Sequence, residues 1–108
     1  GDVRGVLVGA SGAGVSIVAN KFKGVYAVPA ESPGAARRAR AMHNANVLTL
    51  GGMSPECGDA PQIVDAFLTQ AFGEAPVAQG EAAPSWWSED LVAYLRESAP
   101  LVDRMEMR

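Results

Sequence analysis

Apolar residues along the chain fall into three short runs, separated by segments with a helical period. The runs lie at about Gly5 to Val8, Val25 to Pro29 and Asn46 to Leu50, and they are rich in β-branched residues, which is typical of buried strands. The segments between them predict helices from about Ala13 to Lys21 and from about Pro33 to Met42. Strands that alternate with helices in this way form βαβ units. The pattern therefore predicts an α/β fold with a parallel sheet.

Sequence signals also mark where the second and third helices begin. Ser32 can cap the second helix, and Pro33 fits its first position. A third helix is predicted to begin near Pro55 or Gly58 and to continue through Phe72. The spacing of its apolar residues puts them on one stripe, which we expect to pack on the sheet: Ile63, Val64, Phe67, Leu68 and Phe72.

The composition changes near the C-terminus. Residues 73–85 are rich in Ala, Gly, Pro, Glu and Gln and have no periodicity, which predicts a linker. The predicted organisation is an α/β domain over residues 1–72, this linker, and a helical arm over residues 86–108. Adjacent tryptophans on such an arm indicate either docking onto another surface or packing within the chain. The arm is expected to be capped by Ser85 or Ser88 and to carry Trp86, Trp87, Leu91, Val92 and Leu95.

The first strand runs into a glycine-rich turn and then directly into a helix. Gly9, Gly12 and Gly14 have no side chains, so backbone N–H groups of the turn and of the first helical residues can converge on one point. The helix dipole favours negative charge at that point. The turn therefore predicts a site for a phosphate or a developing oxyanion, and the alternative is a tight turn that binds nothing. The candidate substrate-binding residues of this turn are Gly9, Ser11, Gly12, Ala13, Gly14 and Val15.

The turn departs from three better-known glycine motifs. A phosphate-binding P-loop needs Lys and then Ser or Thr after its last glycine, where this chain has Val15 and Ser16. A nucleophile elbow centred on Ser11 needs a glycine in place of Ala13. A dinucleotide-binding turn needs its glycines in a different order. None of these three functions is predicted.

Composition disfavours several other classes of function. The chain has 108 residues, a formal net charge of -3 and a pI near 5.0, which argues against a nucleic-acid partner. Its one basic cluster, at Arg37, Arg38 and Arg40, is interpreted as a solvated helix face. The single cysteine, Cys57, forms no internal disulfide, and no Cys/His set has metal-ligand spacing. We expect a cytoplasmic protein without a metal or a membrane span and, because a strand follows Gly1 almost at once, a further segment upstream.

Residues 5–72 resemble the C-terminal half of the ribose-5-phosphate isomerase B and galactose-6-phosphate isomerase family. The order and spacing of several segments carry this resemblance. They are Gly5-Val6-Leu7-Val8 with the loop Ser11-Gly12-x-Gly14, the helix exit from Ile17 to Ala27, His43-Asn44-x-Asn46-Val47-Leu48, the pair Gly51-Gly52, and Ile63 to Leu68.

The resemblance implies a three-layer, Rossmann-like sandwich and a homodimer or higher oligomer whose active sites form between subunits. It implies interconversion of an aldose phosphate and a ketose phosphate, of the ribose 5-phosphate to ribulose 5-phosphate type, without a metal or cofactor. The ring opens, and a proton moves between C1 and C2 through a cis-enediolate that the loop amides stabilise. His43 would open the ring and Asn44 would orient a sugar hydroxyl; alternatively, both residues simply close the second helix.

Several positions depart from the family's pattern. The resemblance places the proton-abstracting base at Gly9 or at Val15, and neither residue can accept a proton. An Arg that holds phosphate in many members is replaced by Met53. Aligned without a gap, the family's histidine falls on Met42, so His43 reaches that place only after a shift of one residue.

Two functions follow from this comparison of positions. In the first, the chain is half of a sugar-phosphate isomerase whose base comes from the missing half, from another subunit, or from the tail, for example Glu89 or Asp90. In the second, the chain keeps the fold and the anion site but serves as a sugar-phosphate-binding or subunit-partner module.

Overall fold

The computed structural model describes residues 3–52 and 59–104. The predicted alternation of strands and helices is confirmed there. No helix among these residues is long and apolar enough to cross a membrane. In chain order the elements are β1 (Gly5–Gly9), α1 (Gly12–Ala19), β2 (Ala27–Pro29), α2 (Pro33–His43), β3 (Val47–Gly51), α3 (Ala60–Thr69) and α4 (Glu89–Arg104).

The three strands form one parallel sheet in the order β1-β3-β2. Val47 of β3 is aligned with Gly5 of β1 on one side and with Ala27 of β2 on the other. The chain crosses from β1 to β2 through α1 and returns to the central strand through α2. Because such crossovers are right-handed, α1 and α2 cover opposite faces of the sheet. The predicted α/β fold is therefore confirmed, and all strands end at one edge, which we call the carboxyl edge; the opposite one is the amino edge.

The hydrophobic core lies between the sheet and the layer formed by α2 and α3. Leu48 and Leu50 of β3 pack there with Ile63 and Phe67 of α3 and with alanines of α2. Leu48 and Phe67 have no exposed surface, and each such side chain contributes about 2 kcal/mol through burial. The small α2 residues allow α2 and α3 to approach closely.

Thr49 connects the sheet to α1 on the other face. Side chains alternate along a strand, so Thr49 points away from its neighbours Leu48 and Leu50. Its side chain is fully buried, where its hydroxyl pairs with that of Ser16 and also donates to the carbonyl oxygen of Gly12 at 2.8 Å. This polar contact holds the start of α1 against the central strand.

The apolar stripe predicted for α3 is partly wrong. Leu68 is 51% exposed, because it follows a core-facing residue and is turned by about 100° from it. Phe72 lies beyond the end of the helix and is half-buried. The structure has α3 begin at Ala60, and the predicted start near Pro55 or Gly58 lies outside the described residues.

The two tryptophans precede the last helix and are not part of it. The Ser88 hydroxyl accepts a hydrogen bond from the N–H of Leu91 at 3.1 Å and so caps α4. The N–H of Trp87 donates to the Pro84 carbonyl in a turn, and the rings of Trp86 and Trp87 meet edge to face with centroids 6.0 Å apart. The prediction that the helix carries both tryptophans is wrong, because Ser88 supplies the cap.

Strand β1 and helix α1 expose much apolar surface. Leu7 and Val8 of β1 are 42% and 67% exposed, and Ile17, Val18 and Phe22 are each more than 60% exposed. Strands of parallel sheets are normally covered on both faces. In the isolated chain, this side of the molecule is therefore left without a covering layer.

Replacing Thr49 with Val should destabilise the domain by about 1–3 kcal/mol, because the buried Ser16 hydroxyl and Gly12 carbonyl lose their partner while the side-chain volume is kept. Urea unfolding followed by circular dichroism measures this loss. Thr69→Val is a matched control, since the Thr69 hydroxyl is exposed, and it should change the free energy of unfolding by less than about 0.5 kcal/mol. Equal losses in the two variants would contradict the role given to Thr49.

Candidate functional site

The glycine-rich turn lies at the carboxyl edge, between β1 and α1. Ser11 has an extended backbone and is the N-cap of α1, and its hydroxyl accepts from the N–H of Gly14 at 3.5 Å. The N–H of Val15 donates to the Ser11 carbonyl at 3.3 Å. The N–H groups of Gly12 and Ala13 take part in no hydrogen bond among the described residues. Together with the positive end of the helix dipole, these two groups are available to an anion.

Glycine is required where the turn meets the end of β3. A Cβ atom added to Gly51 would lie 3.0 Å from the backbone nitrogen of Gly12, and one added to Gly12 would lie 3.3 Å from the Gly51 nitrogen and the Thr49 oxygen. The N–H of Gly52 also donates to the Gly9 carbonyl. Because Gly12 and Gly51 have no side chains, the two backbone segments can be in direct contact.

Two cavities adjoin the turn, one on each side. The first has a volume of about 700 Å³ and is mainly apolar, and Leu7, Val18 and Phe22 are among its lining residues. The second has a volume of about 510 Å³ and is lined by Ser11 to Ala13, Thr49, Gly51 and Glu31, with four further small residues. Ala10 and Ser11 line both cavities, so a ligand held at the turn has space on either side.

Glu31 was not singled out by the sequence analysis. It follows the short stretch Pro29-Ala30 at the carboxyl end of β2, where Ala30 N–H donates to the Thr49 carbonyl at 3.3 Å. Ser32, the next residue, caps α2 by accepting from the N–H of Ala35 at 3.1 Å. The backbone on both sides of Glu31 is thus fixed, and its side chain is exposed. The sequence feature that could have indicated Glu31 is its position directly after a predicted strand.

Positions 9 and 15, where the resemblance would place the base, face each other. A Cβ atom added to Gly9 would overlap Cγ2 of Val15, so the Val15 side chain occupies the space that a longer residue at position 9 would need. Neither residue can accept a proton. Positions 9 and 15 therefore share one space in this chain.

His43 and Asn44 lie at the amino edge, away from the turn. His43 is the exposed last residue of α2. Asn44 has a left-handed backbone (φ 50°, ψ 37°), which ends the helix, and its Oδ1 accepts from Arg40 at 3.0 Å. These residues line a third cavity, of about 710 Å³, together with Asn20 and Tyr26.

The structure does not bring His43 and the turn together within one chain. A strand of five residues separates the two edges, which corresponds to about 13 Å or more. The loop residues predicted from the sequence do lie together. The predicted role of Asn44 in holding a sugar stays a prediction beside its observed role as a helix cap.

The basic cluster on α2 is not a uniform solvated face. Arg40 is only 4% exposed, and its guanidinium donates to the carbonyls of Gln70 at 3.2 Å and Ala45 at 2.8 Å. The interpretation of Arg40 as solvated is therefore wrong, because it satisfies carbonyls at the ends of α2 and α3. No group of three or more His, Cys, Asp or Glu within the described ranges could hold a metal; Met53 and Cys57 lie outside those ranges.

Comparison with known proteins identifies the family. A family model described as Ribose/Galactose Isomerase matches residues 1–81. The chain belongs to this family. Its members include isomerases of sugar phosphates, so the resemblance seen in the sequence is confirmed.

Individual relatives agree with this assignment. The 4-deoxy-4-sulfo-D-erythrose isomerase of Clostridium sp. (strain MSTE9) is 44% identical over 71 residues, which are 66% of this chain and 45% of that protein. Ribose-5-phosphate isomerase B of Mycolicibacterium paratuberculosis is 39% identical over 75 residues, 69% of this chain and 47% of that protein. A ribose 5-phosphate isomerase from Thermotoga maritima superposes with a TM-score of 0.68 at 30% identity, over 94% of this chain and 57% of that one. The chain thus spans about half the length of the curated relatives it matches.

Replacing Gly9 with Ala should destabilise the domain by about 1–3 kcal/mol, because the new methyl group overlaps Val15. The same substitution in a Val15→Ala background should cost less, since the space is then free. Gly14→Ala is the matched control: nothing lies within 4 Å of a Cβ atom there, and Ala is favoured over Gly in a helix. Thermal and urea unfolding of the four variants measure the coupling, and strictly additive losses would rule out the overlap.

Proposed function

We propose that the protein interconverts an aldose phosphate and a ketose phosphate, of the ribose 5-phosphate to ribulose 5-phosphate type, at the glycine-rich turn. The observation that carries this proposal is a pair of N–H groups, at Gly12 and Ala13 at the start of α1, that form no hydrogen bond within residues 3–52 and 59–104 of this sugar-isomerase family member. Donors that are fixed before the reaction stabilise a developing oxyanion more than the neutral carbonyl. Two relatives are named for substrates with an anionic group, a phosphate in one and a sulfonate in the other.

The proposed reaction is a proton transfer between neighbouring carbons. A base removes the proton on C2 of the open-chain aldose, the electron pair forms a C1–C2 double bond, and the carbonyl pair moves to O1. The N–H groups of Gly12 and Ala13 stabilise the charge on this enediolate. The O2 hydroxyl proton moves to O1, C2 becomes a carbonyl, and the base returns its proton to C1. The turn thus serves the step in which charge develops.

His43 would open the sugar ring, and a second copy of the chain would supply it. An imidazole is the side chain that most often serves as a general acid or base. Since His43 and the turn lie at opposite edges of one sheet, a site that uses both needs two chains. This geometry supports a homodimer or higher oligomer as the working unit.

Glu31 is the candidate base within this chain. Among the described residues that line the two cavities at the turn, it alone has a carboxylate. A carboxylate can act as a general base. Glu89 and Asp90 of the tail, or a group from another chain, are the other sources suggested by the sequence.

The alternative function is that of a sugar-phosphate-binding or subunit-partner module without turnover. The observation that favours it is that positions 9 and 15 are Gly and Val, neither of which can accept a proton. Binding and exchange of the C2 proton separate the two functions.

The deciding experiment is a titration of the full-length protein with ribose 5-phosphate in D2O. We expect amide shifts at Gly12 and Ala13 and deuterium incorporation at C2. Both effects should be lost in Gly14→Val, because Gly14 lines the apolar cavity beside the turn, which the added side chain fills, while its Cβ position contacts no other part of the fold. Ala93→Val on the exposed side of α4 is the control. Amide shifts without deuterium exchange would favour the binding module, and unchanged turn amides would contradict the site.

A mixing experiment tests the shared site. His43→Ala chains and Gly14→Val chains are each expected to be inactive, whereas mixed dimers hold one site with an intact turn and an intact imidazole. Mixing should therefore restore up to about a quarter of the wild-type activity, if chains pair at random and each intact site works independently. The single variants, each denatured and refolded alone, are the controls. A mixture as inactive as the two separate variants would exclude a site shared in this way.

A further inference from the structure

Two hydroxyl groups are buried between α1 and the central strand, and each interrupts an apolar stretch of sequence. Ser16 of α1 follows Val15, and Thr49 of β3 lies between two leucines. Ser16 is 5% exposed, and Thr49 has no exposed surface. Replacing both members of a buried hydrogen-bonded pair with apolar groups of the same shape can be nearly neutral for stability. Packing alone therefore does not require these two hydroxyls.

The hydrogen bonds of the two hydroxyls run in one direction, towards the glycine-rich turn. The Gly12 carbonyl oxygen can only accept, so the Thr49 hydroxyl gives it its proton, at 2.8 Å. A hydroxyl has a single proton to donate. In the contact between the two hydroxyls, Ser16 is therefore the donor and Thr49 the acceptor. We call this ordered series, from Ser16 through Thr49 to the Gly12 carbonyl, the hydroxyl chain.

The hydroxyl chain ends on the peptide group that carries the Ala13 N–H. The Gly12 carbonyl and the Ala13 N–H belong to one planar trans peptide group, in which they point in opposite directions. A hydrogen bond to the carbonyl fixes the plane of this group. It also draws electron density towards the oxygen, which makes the N–H on the other side a stronger donor. The Ala13 N–H is one of the two groups to which the proposed function assigns the developing oxyanion.

We propose that Thr49 is a positioning residue for the reaction: its hydroxyl, supported by Ser16, orients and polarises the Gly12–Ala13 peptide so that the Ala13 N–H stabilises the enediolate. This role rests on the proposed function, because it requires an oxyanion that forms at the turn. Thr49 has no exposed surface, so it acts through the peptide group and not by contact with the sugar.

The place of Thr49 in the sheet gives its hydroxyl a fixed position. Thr49 lies in the central strand, where it is aligned with Leu7 of β1 and with Pro29 of β2. Its carbonyl accepts a hydrogen bond from the N–H of Ala30 at 3.3 Å, and its β-branched side chain has few rotamers. Burial keeps water away from both hydroxyls, and hydrogen bonds are stronger at low dielectric. The peptide of the turn is therefore held in one orientation.

The expected size of the effect follows from two magnitudes. Removing one donor to an oxyanion lowers kcat by about 10²- to 10³-fold, and polarisation along a series of hydrogen bonds strengthens each bond by about 10–30%. Loss of the Thr49 hydroxyl should therefore lower kcat by a factor of about two to eight. KM should change by less than about twofold, because the lost interaction is made in the transition state.

Kinetics of the full-length protein separate this role from a purely structural one. Turnover is measured with ribose 5-phosphate deuterated at C2, because deuterium slows proton abstraction and kcat then reports that step. Thr49→Val keeps the volume and loses the hydroxyl, whereas Thr49→Ser keeps the hydroxyl and loses a methyl group. Thr49→Val should lower kcat as above, and Thr49→Ser should retain the wild-type kcat although it loses packing. An unchanged kcat in Thr49→Val, or equal losses in the two variants, would overturn the role.

Two controls account for the loss of a hydroxyl and for the loss of stability. The Thr69 hydroxyl also donates to a backbone carbonyl at 2.8 Å, that of Asp65 in α3, so Thr69→Val removes the same type of bond outside the site. Ile63→Val removes a methyl group from the core on the other face of the sheet and leaves the hydroxyl chain intact. Both variants should keep the wild-type kcat. A loss in Ile63→Val as large as in Thr49→Val would attribute the effect to stability and overturn the role.

NMR of the ligand-free protein tests the polarisation without reference to activity. The Gly12 carbonyl carbon should shift upfield in Thr49→Val, because it loses a donor, and the Ala13 amide nitrogen should shift with it. Ser16→Ala removes only the first donor and should shift both signals in the same direction by a smaller amount. Thr49→Ser should leave both signals near their wild-type positions. Unchanged signals in Thr49→Val would overturn the role.

Failure of this role and failure of the proposed function give different results. A wild-type protein that does not convert ribose 5-phosphate would overturn the proposed function and, with it, the role of Thr49 in the reaction, even if the NMR signals shift as expected. Turnover by the wild-type protein with an unchanged kcat in Thr49→Val would overturn the role of Thr49 alone.

Discussion

The candidate site depends on direct contact between two backbone segments, at Gly12 and Gly51. A Cβ atom at either position would be too close to the other segment. The Thr49 hydroxyl stabilises the same contact by donating a hydrogen bond to the Gly12 carbonyl. Because Thr49 is on the central strand and fully buried, the first turn of α1 has a fixed position relative to the sheet. The N–H groups of Gly12 and Ala13 are therefore already aligned before a ligand binds, which is the condition for stabilising charge that develops during a reaction.

Elements with a strong local signal could be predicted from the sequence, and elements decided by competition between similar signals could not. The strands and the first two helices follow from the hydrophobic period, and the Ser32 cap was predicted correctly. Ser85 and Ser88 were equally good caps on local grounds, and only the turn around Trp87 decides between them. Arg40 is one of three arginines on α2, and the local sequence does not distinguish it from the other two. Its burial depends on the carbonyls of Ala45 and Gln70, whose positions cannot be predicted from the local sequence.

In the candidate site, too, local features could be predicted from the sequence and long-range ones could not. The turn was predictable because its glycines, the preceding strand and the following helix are adjacent in sequence. The distance between the turn and His43 was not, because the edge of the sheet at which each lies follows from strand order and helix direction. The place of Glu31 in the site could not be predicted for a related reason. Glu31 comes near the turn only because β2 and β1 lie in one sheet with β3 between them. Resemblance to a family implied residue roles and sites formed between subunits, but not which of those residues lie together in one chain.

The overlap of Gly9 and Val15 shows why the chemistry of the turn cannot be judged one position at a time. Val15 fills the volume that a side chain at position 9 would use, so a side chain at position 9 requires Val15 to move. The two places are alternatives for one volume. In this chain that volume is filled by an apolar side chain, and the proton acceptor must therefore approach from outside the turn. The open sides are the cavity that contains Glu31 and the exposed apolar face of β1 and α1. In the proposed function, the turn therefore provides the anion site and its surroundings provide the proton chemistry.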